Sequence, residues 1–262
     1  MPKVDLDFQR YVERRKGARD AQAREGAAYA YAGDLKLLRT LDRLSPVKLA
    51  LESAVRLWNA SSRKELLEGA VKVSARERPA IHALAARCAE TLHIAVPAVY
   101  IATGLETFRA HTFGTNEEPY VVLDAALVES LGEPELADVL GRECGHVQNN
   151  HVAYGTALYY LLHRANRFVR WIVTPALLAL GGWSKRADVT GDRAGLLCTR
   201  NLDVSQATLR KLLGPSNDPR AQKRIDALAV FAESAYYRAI VGQEGGLSAA
   251  ECDTKVAELL AA

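Results

Sequence analysis

Apolar residues recur along this chain at helical spacing, then at every second position, then at helical spacing again. Residues 4–32 interleave charge with Ala and Tyr at a helical period, without proline, and predict a solvent-facing amphipathic helix. Gly33-Asp34 is expected to break it, and 35–44 predicts a short helix stopping before Ser45-Pro46. Three further amphipathic stretches, 47–58, 64–73 and 79–92, predict an all-helical N-terminal third. The pattern changes at Ile94. The β-branched and aromatic runs 97–102, 108–113 and 120–123 predict three short strands of a small antiparallel sheet, with Gly114-Thr115-Asn116 as a turn.

Helical spacing returns at Asp124, which stands where it would cap a short helix to Leu131. Gly132-Glu133-Pro134 separates that helix from the next. Pro134 near its first turn and Glu133 and Glu135 at its positive end mark a well-formed helix start. Residues 154–183 then form a long apolar, aromatic stretch in which Arg164, Arg167 and Arg170 recur every three residues. Its last part, 171–183, is too short to cross a bilayer and is interrupted by Pro175 and Gly181-Gly182. A helical hairpin packed on the domain is the expectation, with membrane contact through 171–183 as the alternative. Ser184 would cap a helix over 185–198, and Asp203 one over 204–213 that Gly214-Pro215 ends. Two more helices are expected over 219–241 and 247–260.

Composition narrows the class. The chain has 262 residues, 49% hydrophobic and 25% charged, which is that of an ordinary globular protein with ample core. A net charge of +3 is too small to argue for nucleic acid or an anionic membrane. Cys88, Cys144, Cys198 and Cys252 are far apart, without a C-x-x-C pair, and read as reduced, mostly buried thiols. The N-terminus lacks an apolar signal region, so the expected compartment is the cytoplasm, peripheral to a membrane if the hairpin touches one. His82 and His93 read as structural histidines.

Candidate chemistry gathers in 136–151, L-A-D-V-L-G-R-E-C-G-H-V-Q-N-N-H. In H-E-x-x-H, two histidines four apart lie on one helical face and bind zinc, and the adjacent Glu acts as general base. Here Glu143 and His146 stand in place, but Arg142 occupies the first histidine's position. A guanidinium is always protonated and offers no lone pair, so it cannot be a ligand. Cys144 points to a neighbouring helical face and reads as packing. His151, five residues after His146, lies about 140° round the helix by the 3.6-residue period and is expected to face elsewhere.

The run from 97 to about 213 resembles the HtpX-like and CAAX-prenyl-protease-like zinc metallopeptidases, which are gluzincins. The resemblance rests on R-E-C-G-H-V-Q-N-N-H and, some forty residues later, on S-K-R-A-D-V-T-G-D-R-A-G-L-L from 184 to 197. It implies a predominantly helical α+β fold of zincin type, with a small antiparallel sheet and an N-terminal helical extension. The expected division is 1–93 as a helical layer and 94–262 as the peptidase-like domain. It also implies that Asp188 stands where the third ligand is normally Glu, and Asp192 where an aspartate steadies the first histidine. The edge strand that pairs with substrate, usually N-A-F, reads Arg109-Ala110-His111.

Two functional readings follow from the resemblance. In the first, the chain is a degenerate homologue lacking tight zinc binding and peptidase activity. It binds a protein or peptide in the former substrate cleft, and Arg142 pairs with Asp188 and Asp192 where the metal would sit. In the second, it is an altered zinc endopeptidase using His146, Asp188 and possibly His111 as ligands, with Glu143 as general base. Whether the chain is an enzyme turns on Arg142.

Overall fold

The structure, a computed structural model, describes residues 26–43, 51, 54, 55, 58, 62–105, 107–164, 166, 173–213 and 219–261. The part of the expected 4–32 helix before residue 26 lies outside these residues, as does most of the 47–58 helix.

The described chain begins with residues 26–31, which are not helical. Asn149 and Tyr29 fix this segment, because Ala27 N donates to Asn149 Oδ1 at 3.1 Å and Asn149 Nδ2 to the Tyr29 hydroxyl at 3.1 Å. Helix α1 (Ala32–Asp42) then carries Asp34 in its first turn, fully buried, so Gly33-Asp34 starts a helix and does not break one. The single helix expected over 64–73 is instead a short α2 (Arg63–Leu66) and a strand β1 (Val71–Lys72). Gly69, at φ 73°, makes the left-handed turn between them. Helix α3 (Pro79–Thr91) starts on Pro79, whose missing N–H costs nothing in a first turn.

Three strands follow: β2 (Ala98–Ala102), β3 (Ala110–Gly114) and β4 (Pro119–Asp124). The sheet order is β1-β2-β4-β3. β3 and β4 form an antiparallel hairpin, but β2 and β4 pair in parallel, so the sheet is mixed and not the purely antiparallel one expected. After β2 the chain crosses to the far edge as β3 and returns through the middle as β4. Alternating hydrophobicity specifies the faces of a strand but not its neighbours, so strand order was not readable.

The remaining elements are helical. α4 (Ala125–Ser130) leads to the long α5 (Glu133–Gln148), whose Glu135 carboxylate reaches back to Gly132 N at 2.9 Å. α6 (Val152–His163) is followed by α7 (Thr174–Thr199), one unbroken helix. Ser184 therefore caps nothing. Pro175 sits in the first turn of α7, where it is tolerated, and buried Leu180, Trp183 and Ala187 hold the helix together through Gly181-Gly182. α8 (Leu202–Leu213) is capped by Asn201, not Asp203: Asn201 Oδ1 accepts from Val204 N at 3.2 Å. Ser234 divides the expected 219–241 helix into α9 (Pro219–Ala232) and α10 (Ala235–Ile240), capping the second through Tyr237 N. α11 (Ala249–Ala261) closes the described chain.

The main core joins α3, the inner face of the sheet, α5 and α7, with Leu84, Val121, Leu123, Val139, Leu140 and Leu196 buried together. α5 and α7 approach closely because small residues line their crossing. A Cβ at Gly145 would lie 2.4 Å from that of Ala194, and one at Gly141 would lie 2.8 Å from that of Cys198. This close crossing brings the 142–146 turn against 188–192. Among the described residues no helix is long and apolar enough to cross a membrane.

Candidate functional site

Arg142 lies on the face of α5 turned towards α7 and is 8% exposed. Its guanidinium meets three carboxylates. Nε donates to Asp192 Oδ1 at 3.2 Å, Nη1 to Glu143 Oε1 at 2.7 Å, and Nη2 to Asp188 Oδ1. Asp188 and Asp192 are one turn apart on α7 and so present both carboxylates to one partner. Burial alone would lower the Arg142 pKa, but the three carboxylates outweigh it and hold the guanidinium firmly protonated.

A second cation, Arg224 of α9, reaches the same carboxylates. Its Nε and Nη2 grip Asp192 at 2.8 and 2.6 Å, while Nη1 lies 3.5 Å from Asp188 Oδ2. For Asp188, whose side chain is 29% exposed, burial would raise the pKa, but Arg224 and Arg142 hold it below the usual carboxylate range. Sequence reasoning missed Arg224. Its signal was a charge on an apolar stripe, since Ala221, Ile225 and Leu228 on the same helix are all buried, and a buried cation demands partners.

Glu143 is fully buried and shared between two elements. One oxygen takes Arg142, and Thr112 of β3 donates its hydroxyl to the other at 2.7 Å. Both oxygens of the residue that would serve as a general base are therefore engaged by donors. His146, one turn on, is pushed well below its ordinary pKa by burial and then by Arg142 and His151, so it is neutral at pH 7.

His151 does not face elsewhere. α5 ends at Gln148, and Asn150, at φ 58°, folds the chain back, which brings His151 Nδ1 to 3.0 Å from His146 Nδ1. The 140° expected for a continuing helix fails because the helix stops first. His151 Nε2 lies 3.0 Å from Asp34 Oδ2, although not aligned for a hydrogen bond. Asp34 in turn accepts from Trp183 Nε1 at 2.8 Å and Thr190 Oγ1 at 2.6 Å. The N-terminal segment thus reaches the site through one buried carboxylate that no motif marked.

His111 of β3 shares a small cavity with His146 and His151, together with Thr112, Gly155 and Ser184. Burial lowers its pKa, and Glu143 offsets only part of that. The edge strand therefore turns this histidine towards the cleft and not to solvent.

The donor set does not fit zinc at the position the H-E-x-x-H arrangement would give it. A metal there needs free lone pairs on three ligands, whereas position 142 supplies a cation and Asp188 is spent on two guanidinia. Among the described residues no three His, Cys, Asp or Glu side chains are grouped so as to hold a metal ion.

One turn before Arg142, Asp138 is 3% exposed, and the Ser205 hydroxyl donates to it. Burial outweighs that bond and raises its pKa to about 7. A carboxyl raised in the folded state gives stability that is complete below its unfolded value and lost as pH rises through the folded one. Asp138→Asn is therefore expected to remove a loss of up to about 4 kcal/mol between pH 4 and 7, read from urea unfolding at pH 5 and pH 8. Parallel pH profiles for variant and wild type would contradict this.

Comparison with known proteins bears on the whole arrangement. The family model for peptidase family M48 matches residues 75–238. The chain is 28% identical over 205 residues to the plastoglobule-localized metallopeptidase 48, chloroplastic, of Arabidopsis thaliana. That match covers 76% of this chain and 58% of the relative, so the chain spans a little over half the relative's length. No solved structure matches.

Proposed function

From its membership of peptidase family M48, a family zinc-dependent in general, we propose that this chain is a metallopeptidase homologue that has given up tight zinc binding and peptide hydrolysis. It acts as a binding or regulatory module, and a protein or peptide occupies the former substrate cleft. One observation carries this reading: the Arg142 guanidinium bonds Glu143, Asp188 and Asp192 together. Those side chains would otherwise serve as base, ligand and orienting group. A monovalent cation fixed covalently to α5 satisfies them without any ion from solution, and Arg224 adds a second positive charge.

The altered-peptidase reading, with His146, Asp188 and His111 as ligands and Glu143 as base, has one observation in its favour. His111 and His146 do line one cavity. Against it stand the two engaged oxygens of Glu143 and the position of Asp188 between two arginines.

Metal analysis of the purified wild-type chain, followed by a casein-type cleavage assay with added zinc and with chelator, separates the two. The expected result is zinc far below one equivalent and no cleavage that chelator abolishes. Near-stoichiometric zinc with chelator-sensitive cleavage would establish the altered peptidase instead.

A further inference from the structure

Two of the four cysteines, far apart in the chain, meet at one turn of α5. Cys88, on the buried face of α3, donates its thiol to the Ala137 carbonyl at 3.3 Å. Cys198, in the last turn of α7, fills the notch that Gly141 leaves one turn further along α5. A Cβ on Gly141 would lie 2.8 Å from the Cys198 sulfur. That sulfur also donates to the backbone carbonyl of Cys88 at 4.0 Å.

This contact fixes how far apart the two residues stand. A carbonyl oxygen lies about 2.4 Å from its own Cα, which puts the Cys198 sulfur within about 6.4 Å of the Cys88 Cα. Rotation of the Cys88 side chain off the Ala137 carbonyl, with a shift of about 1–2 Å, would bring the sulfurs into bonding geometry. The two thiols differ in access, since Cys88 is 2% exposed and Cys198 is only partly buried. The Cys88 thiol beside it, and then burial, hold the Cys198 thiol protonated with its pKa well above the ordinary value. Protonation slows attack on an oxidant, but it does not set where the thiol–disulfide equilibrium lies.

We propose that Cys88 and Cys198 are a redox pair that a low-molecular-weight disulfide oxidises to an intramolecular disulfide, stapling α3 to α7. The Cys198 thiol gives its proton to solvent, and its sulfur attacks one sulfur of the oxidant and displaces the first oxidant thiolate. The Cys88 thiol loses its proton in turn. Its sulfur attacks the Cys198 sulfur of the mixed disulfide and displaces the second thiolate. Two protein thiols are thereby oxidised by two electrons, and one oxidant disulfide is reduced to two thiols. Cys144, on α5 itself, is 1% exposed and gives an oxidant no approach. The staple closes the long loop from α3 to the end of α7 and so restrains the unfolded chain. The proposal is independent of whether the Arg142 site binds metal.

The test equilibrates the full chain with oxidised glutathione, alkylates the remaining thiols and maps the peptides without reduction. The expected result is a linked Cys88–Cys198 peptide, two alkylated thiols per chain instead of four, and a melting temperature raised by about 5 °C or more. Dithiothreitol should reverse all three. Cys88→Ala should stop the reaction at glutathione on Cys198, Cys198→Ala should leave Cys88 reduced, and Cys144→Ala should keep the link. The wild-type peptide map decides the matter even where a variant unfolds. Four alkylated thiols after equilibration, glutathione on wild-type Cys198 without a cross-link, a link through Cys144 or Cys252, or a melting temperature unchanged by the link would each overturn the proposal.

Discussion

Arg142→Met is expected to destabilise the protein by about 3–5 kcal/mol at pH 7, the cost of leaving buried carboxylates without their cation. Met fills similar volume, so lost packing contributes little and the electrostatic effect is isolated. Glu143 suffers most: it is fully buried, no other cation bonds it among the described residues, and it keeps only the Thr112 hydroxyl. Asp192 retains Arg224, and Asp188 is partly solvated. The pH dependence gives the signature. In the wild type Asp188 has a depressed folded pKa, so its contribution is present above the ordinary carboxylate range and is lost on acidification through the folded value. In the variant, buried carboxylates lacking a cation have raised pKa values, so their penalty grows as pH rises above about 4. Urea unfolding at pH 4 and pH 7 should therefore show a small difference between variant and wild type at the lower pH and a large one at the higher. An equal difference at both would mean that Arg142 contributes packing and not charge.

Much of this site was legible because helical periodicity converts spacing into geometry. Two carboxylates four apart on α7 must share a face, and so must Arg142 and His146 on α5. Given two facing helices, a cation opposite two aspartates has few places to go. What the spacing did not contain were the contributions of elements with no motif. Arg224 comes from α9, Thr112 from an edge strand, and Asp34 from the first turn of α1. Each is a polar residue on a mostly apolar face, and such a residue announces that it has a partner without naming it.

The fold was read unevenly for a related reason. Helix existence follows from local pattern, and α3, α5 and α8 lie close to where periodicity places them. Breaks depend on what the surroundings tolerate. Gly181-Gly182 looked like a helix end, yet Trp183 is held by Asp34 across the domain and the helix runs on. The parallel pairing of β2 with β4 and the reversal at Asn150 are likewise decided by tertiary packing. The His151 error came from extending α5 by three residues too many, at an end where helix boundaries are least certain.

If Arg142 is the reason that the site cannot take a metal, exchanging the two departures for the ordinary ligands should create metal affinity. In Arg142→His with Asp188→Glu, the imidazole at 142 would lie one turn from His146 on the same face, and the longer Glu would recover the reach that Asp lacks. Removing the guanidinium frees the carboxylate at 188 from one of its two cations, while Arg224 still holds Asp192 in place to orient the new histidine. A ligand that binds only the folded state raises stability by about 2.7 kcal/mol at a hundred times its dissociation constant. Zinc should accordingly raise the melting temperature of the double variant by several degrees, leave the wild type unmoved, and lose its effect when His146→Ala is added. Arg142→His alone should respond weakly, because Asp188 is one methylene short. An equal zinc shift in the wild type would place a metal on some other set of residues. A double variant that folds and shows no shift would mean that Arg224, and not Arg142, is the cation that keeps zinc away.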